Sequence, residues 1–291
     1  MMIIKDMDRE NMNRYNIAKE IASMCPKHIG EEVIIVGSVS RGVADQNSDI
    51  EIEFLGENIP SQDERVSWLK EIGGTQITPY GAPISDGSMW VIFKYKEHWI
   101  EAGWQSFEAM SHNIESIIKG ENISHDRLLL AWTIKNTICL TEGEFIKKLQ
   151  KQLKTYPQIL QEKIISSTLR GLTVTLALNV KKALADRDDR IPLLERLIVD
   201  VKRILRILFA LNKEWEPDWK RIRYIIEDLK VIPEELYRRI NEIIIINDSQ
   251  ESFDSCLDLV KDTLSLVPEE LDKNSYIDSI LKDIEEIQQD N

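Results

Sequence analysis

The chain predicts an α+β protein, with a mixed-sheet α/β domain over residues 1–120 followed by an all-α helical bundle over 121–291. Two observations carry this. Runs that alternate with a period of two, or are rich in β-branched and aromatic residues, fall at 32–36, 48–55, 75–80, 89–96 and 99–105, and the strand signal ends at about residue 106. Beyond it the sequence reads as helices of 10–30 residues, broken at Pro157, Pro192, Pro217, Pro233 and Pro268, where the proline ring admits a first helical turn but ends whatever precedes it.

Taken in order, a helix over 7–24 stops at Pro26, and a short strand over 32–36 runs into the small-residue turn Gly37-Ser38-Val39-Ser40-Arg41-Gly42. In 48–55 the acids Asp49, Glu51 and Glu53 alternate with Ile50, Ile52 and Phe54, the pattern of a half-buried strand. A helix over 62–72 is closed by Gly73-Gly74, and the three remaining strands follow. Helices are then expected at 107–118, 125–138, 144–154, 157–187, 192–211, 219–229, 233–246, 252–266 and 275–288.

Composition narrows the function classes. The 291 residues are 43% hydrophobic and 30% charged, enough apolar material for one large core or two modest ones, and Gly (12) and Pro (9) are too few for disorder or collagen-like order. No stretch reaches the roughly 18 consecutive apolar residues of a membrane span. The start carries Lys5, Asp6 and Asp8 directly after a four-residue apolar run rather than a basic segment and a longer apolar one, so a cytoplasmic location is expected. Cys25, Cys139 and Cys256 lie far apart and read as reduced packing residues, not a disulfide framework or zinc site. The net charge of −13 is unevenly spread: −8 over 1–120 (11 basic, 19 acidic), +4 over 121–248 (23 and 19) and −9 over 249–291 (3 and 12). A deficit of this size argues against general nucleic-acid binding, which needs a concentrated Lys/Arg surface.

The chemistry is concentrated in the segment 36–52. A strand ending in Gly37-Ser38 before a helical turn lets backbone N–H groups come close to a triphosphate, because neither residue has the bulk to hold an anion away. Asp49 and Glu51, two apart on a strand, point the same way with about 7 Å between their Cα atoms, so both can converge on one or two divalent ions. Such a metal pair activates an attacking hydroxyl and stabilises a pyrophosphate leaving group. A third carboxylate is expected from a neighbouring strand, and Glu101 in Trp99-Ile100-Glu101-Ala102-Gly103-Trp104 is the candidate. Three gathered carboxylates repel one another without a cation, which favours bound Mg²⁺. Glu53 shares this face one step further along and reads as a bystander. The bland alternative for these acids is an exposed edge strand decorated with charge, and for Trp99 and Trp104 it is the core.

The run Gly-Ser-x-x-x-Gly, with Asp49 eleven residues after Ser38, Glu51 two further on and an acid on a later strand, resembles the polymerase-β-like nucleotidyltransferase superfamily. Within it the chain looks most like the antibiotic-modifying branch, the kanamycin and lincosamide nucleotidyltransferases, and the motif likeness covers roughly residues 30–110. The resemblance implies that Gly37 and Ser38 contact nucleotide phosphates, that Asp49, Glu51 and Glu101 are catalytic and bind two Mg²⁺ ions, and that Arg41 contacts a phosphate. Members of that branch place a Glu base and a phosphate-binding Lys four residues apart on a helix of the second domain. The comparable run here, Thr175 to Lys182, offers Lys181 and Lys182 for the triphosphate but no preceding carboxylate, so the base is left among Glu101, Asp186 and the metal alone.

The function expected is transfer of AMP from ATP, or of another nucleoside monophosphate, to a hydroxyl of a small molecule of aminoglycoside or lincosamide type, held in a cleft between the domains. A homodimer is implied by the same resemblance. Two rivals stand beside this. One is AMP transfer to a protein by an antitoxin-like enzyme, against which no Arg-x₄₋₆-His ribonuclease motif occurs in 121–291, where His125 is the only histidine. The other is a non-catalytic nucleotide-binding or dimerisation module.

Overall fold

The computed structural model describes residues 8–173 and 175–289. Residues 1–7, with Lys5 and Asp6, therefore lie outside the described residues, as does position 174 in the long helix expected over 157–187. The chain divides into two compact units, Met1–Thr155 and Tyr156–Asn291.

The first unit is an α/β layer. Its helices are α1 (Arg9–Ser23), α2 (Gly37–Ser40), α3 (Gln62–Glu71), α4 (Phe107–Ile118), α5 (His125–Asn136) and α6 (Phe145–Leu153). Its strands are β1 (Glu32–Ile35), β2 (Ile50–Gly56), β3 (Thr75–Pro79), β4 (Met89–Tyr95), β5 (His98–Ser106) and β6 (Ile138–Cys139). They form one six-stranded sheet in the order β3-β4-β5-β2-β1-β6. Only β2 and β5 run parallel; the other neighbours pair antiparallel. β2 is thus interior, with β5 on one side and β1 on the other, and the edge-strand explanation of its acids does not hold.

The period of two decides what each face meets. Ile50, Ile52 and Phe54 of β2, Ile100, Ala102 and Trp104 of β5, Val91 and Phe93 of β4, and Val33 and Ile35 of β1 pack into one core with Ile17, Ala18 and Ile21 of α1 and Trp68 and Leu69 of α3. Phe54 stacks on Trp104 at 4.9 Å between ring centroids and meets Trp68 edge-on at 5.2 Å, geometries that add about 1 kcal/mol each to the area buried. Trp104 is therefore a core residue, whereas Trp99 stands 47% exposed. The opposite face carries Glu51, Glu53, Glu101, Gly103 and Gln105, with α4 against β5 and α5 and α6 against α4.

The first unit extends past the expected boundary at 120/121 because the chain returns to β1. β6, a strand the helical spacing of 125–138 conceals, pairs Cys139 with Ile34 and Ile138 with Ile35. Both carboxylate oxygens of Glu32, on β1, then accept the first backbone N–H groups of α6, from Phe145 at 2.8 Å and Ile146 at 3.1 Å. A buried carboxylate here compensates amides that the helix itself leaves unpaired.

The second unit is helical: α7 (Gln158–Leu172), α8 (Thr175–Asp186), α9 (Arg190–Leu211), α10 (Ile222–Ile226), α11 (Leu236–Ile245), α12 (Ser249–Ser265) and α13 (Tyr276–Gln289), with a 3₁₀ turn at Glu269–Leu271. α9 is its axis, packing on α7 and α12, with Val201, Ile204, Ile207 and Leu208 buried along it. The single helix expected over 157–187 is two, with α7 capped at Thr173, and the helix expected over 219–229 shrinks to five residues after Arg221, whose φ is +61°. Among the described residues no helix is long and apolar enough to cross a membrane.

Glu32→Ala should lower stability by about 1–3 kcal/mol by orphaning one buried and one half-buried amide. Gly143→Ala should act in the same direction, since a Cβ there would lie 2.2 Å from the Glu32 carboxyl carbon. Urea midpoints indistinguishable from wild type for both variants would remove the cap from the account.

Candidate functional site

The site begins where β1 stops. Val36 continues extended, donating its N–H to the Glu51 carbonyl at 3.0 Å. Gly37 then turns with φ +63°, and a Cβ built on it would lie 1.4 Å from Oε2 of Glu51. Glycine is required here twice over, for the left-handed backbone and for the space that the Glu51 carboxylate fills. The next residue, Ser38, is buried, and its hydroxyl has no hydrogen-bond partner among the described residues. Such an orphan is uncommon in a folded protein, where buried hydroxyls are nearly always paired. The Gly37 carbonyl is held twice, by Oγ of Ser40 at 3.0 Å and by Nε of Arg41 at 3.1 Å. The Arg41 guanidinium lies 4.8 Å from the ring centroid of Trp132 on α5.

The loop from this turn to β2 is fastened from α1. The side chain of Asn11 donates to the Val39 carbonyl at 3.0 Å and accepts from the Ala44 N–H at 2.9 Å. Nε of Arg14 donates to the Ser48 carbonyl at 2.9 Å, immediately before Asp49. Oδ1 of Asp45 accepts from the Asn47 N–H and the Ser48 hydroxyl. Asn11 and Arg14 were not singled out by the sequence reading. The signal for them is that they stand at positions i and i+3 of the same buried stripe that continues through Ala18 and Ile21.

The parallel register of β2 and β5 makes Glu51 and Glu101 direct Cα partners, about 4.8 Å apart across the strands. Both are half-buried, and Asp49 sits half-buried one residue before β2. The register therefore aligns Glu51 with Glu101 and leaves Asp49 at the strand's mouth. Among the described residues, however, no three His, Cys, Asp or Glu side chains are gathered as a group that could hold a metal ion.

Glu53 is more than a neighbour on the same strand. It is buried, and burial, followed by the charges of Asp86 and Glu51, pushes its carboxyl up to about 8. Asp86 comes from the β3–β4 loop, which is folded onto the sheet by side chains that grip its backbone. Gln105 and Asn113 donate to the Asp86 carbonyl at 2.7 and 2.9 Å, and Arg127 donates to the Ser85 carbonyl at 2.8 Å. The Trp90 ring lies on Gly103, where a Cβ would come within 2.9 Å of it, and its Nε1 donates to Ser88 at 2.7 Å.

Lys181 and Lys182, expected to meet phosphate, lie on α8 of the second unit. Lys181 is buried, with its ammonium paired to Asp200, which also accepts from Arg203 at 3.2 Å. A buried carboxylate partner satisfies this cation where it stands. Lys182 lies 3.3 Å from Asp186 one turn along α8. The three cysteines are free, and burial holds the Cys25 thiol up to about 12.

A family profile described as a domain of unknown function, DUF4037, matches residues 121–220. That span takes in α5, β6 and α6 of the first unit and the start of the helical one. No curated protein matches the chain. Among solved structures it is similar to a nucleotidyltransferase-like protein from Exiguobacterium sibiricum, at 10% identity and a TM-score of 0.40 over 97% of this chain and 80% of that one.

The Glu53 environment gives a pH dependence with a definite sign. An unfolded Glu53 loses its proton near pH 4.5 and the folded one near 8, so folding holds a proton that the unfolded chain has released between those values. Its contribution to stability is greatest below the lower value and falls as pH rises through the upper one. In EDTA-treated protein, Glu53→Gln should therefore match wild type near pH 5 and exceed it by a few kcal/mol near pH 9. Denaturation curves that stay parallel for the two proteins across this range would show that Glu53 titrates normally.

Proposed function

We propose that the protein is a nucleotidyltransferase that moves a nucleoside monophosphate, AMP from ATP in the first instance, onto a hydroxyl of a small molecule, with Mg²⁺ as cofactor. The observation that carries the proposal is the buried, partnerless hydroxyl of Ser38 beside a glycine pressed onto Glu51, whose strand partner is Glu101. A hydroxyl left without a partner at a backbone-lined turn suits a phosphate oxygen, which accepts what Ser38 has to donate.

In this role Gly37 admits the phosphate to the backbone and Ser38 donates to it. Asn11 and Arg14 fix the loop that delivers Asp49. Asp49, Glu51 and Glu101 would hold the magnesium; their hard oxygen donors suit it chemically, although they are not drawn together as a ligand group in this structure. When bound, the ion would lower the pKa of the attacking hydroxyl and balance charge on the departing pyrophosphate. Glu101 is the residue of this unit best placed to take the acceptor's proton, being aligned with Glu51 yet on a separate strand. The acid-rich face, in a segment of net charge −8 over 1–120, suits an acceptor without negative charge. Aminoglycoside- and lincosamide-type compounds are the first to test.

Incubation with ATP, Mg²⁺ and such a panel, read by mass spectrometry, should give one compound heavier by one AMP. Asp49→Asn should cut the rate by about 10²-fold or more with the circular dichroism unchanged, and Ser38→Ala should raise KM for ATP about tenfold. Transfer by Asp49→Asn at the wild-type rate would overturn the assignment of that carboxylate, and an unchanged KM for Ser38→Ala would overturn the phosphate contact.

A further inference from the structure

We infer that Trp132 is a positioning residue for the nucleotide: through Arg41 it sets the orientation of the peptide plane between Gly37 and Ser38. The inference rests on the nucleotide-site reading above and adds to it a residue from α5 that no motif marks.

The Gly37 carbonyl and the Ser38 N–H belong to one planar unit, so whatever fixes the carbonyl also fixes the direction of that N–H and the origin of the Ser38 side chain. Two side chains fix it. Ser40 does so from within the turn at 3.0 Å and needs no support. Arg41 does so through Nε at 3.1 Å, from a long side chain whose order is costly in entropy. The flat face of Trp132 lies 4.8 Å from the Arg41 guanidinium and packs against it in the arrangement in which Nε reaches Gly37. A planar cation over an indole is the pairing in which arginine and lysine are least interchangeable.

Trp132 is well placed for this because α5 and the turn hang from the same point. Thr137, at the end of α5, donates its hydroxyl to the carbonyl of Ile35 at 2.6 Å, two residues before Gly37. The side chain of Asn136 donates to the Trp132 carbonyl at 2.8 Å. The indole is thus held in register with the end of β1, and a shift of α5 would reach Ser38 through Arg41. Arg41, expected from the sequence to contact phosphate, acts here on the turn that does so.

The test is equilibrium binding of MgATP by calorimetry, with melting temperature measured alongside, for wild type, Trp132→Ala, Trp132→Phe, Arg41→Ala and the Trp132→Ala/Arg41→Ala double variant. Trp132→Ala should weaken binding about five- to tenfold, Trp132→Phe should restore most of it by keeping a ring face, and the double variant should bind no worse than Arg41→Ala. Wild-type affinity in Trp132→Ala, losses that multiply in the double variant, or a loss that follows the melting temperature and is not rescued by phenylalanine would each overturn the inference. Wild-type protein that binds no nucleoside triphosphate would instead overturn the nucleotide-site reading, and this inference with it.

Discussion

The one parallel pairing in the sheet, β2 with β5, is the constraint on which the first unit turns. Two strands that run the same way cannot be joined by a tight turn, so the chain must leave the top of β2 and come back to its bottom. It does so through α3 and the β3–β4 hairpin. That excursion covers the apolar face with α3 and brings the β3–β4 loop over the acidic one. It also sets Glu51 level with Glu101, since in a parallel ladder residues with the same phase lie side by side. A slip of one residue would send Glu101 into the aromatic core and Trp104 out of it, so the burial of Phe54, Trp68 and Trp104 holds the two carboxylates in register.

Much of this was legible beforehand, because it depends on local pattern. The alternation through 48–55 gave the strand, its buried side and the common face of Glu51 and Glu53. Gly37 and Ser38 stood out by their place after a strand, and the structure gives the glycine a reason to be there. What could not be read was whatever depends on contact between distant segments. β6 is two residues long and its pairing with β1 has no local signature. Glu53 read as a bystander on the face of Asp49 and Glu51, and its burial beside Asp86 has no local signature. Lys181 was offered to a triphosphate because a sequence gives no hint that Asp200, nineteen positions on, lies against it within the bundle.

The two faces of the sheet divide the work. One is apolar and closely packed, and supplies the stability that a strand with acids on its other side needs. The other tolerates a glycine with positive φ, an unpaired hydroxyl and a carboxyl with a raised pKa. The unpaired hydroxyl and the buried carboxyl are each costly and persist where the surrounding structure over-determines them. Here the surroundings are Asn11, Arg14 and the grip of Gln105, Asn113 and Arg127 on the β3–β4 loop.

The return of the chain to β1 through β6 and α6 bears on where this protein can be divided. A fragment ending at residue 120, where the strand pattern has run out, would expose the hydrogen-bonding edge of β1 and leave the Glu32 carboxylate with no helix to receive it. Open strand edges recruit other chains, so such a piece would tend toward intermolecular β-pairing. The compact α/β unit of this chain runs to Thr155, thirty-five residues beyond the boundary expected from the sequence pattern.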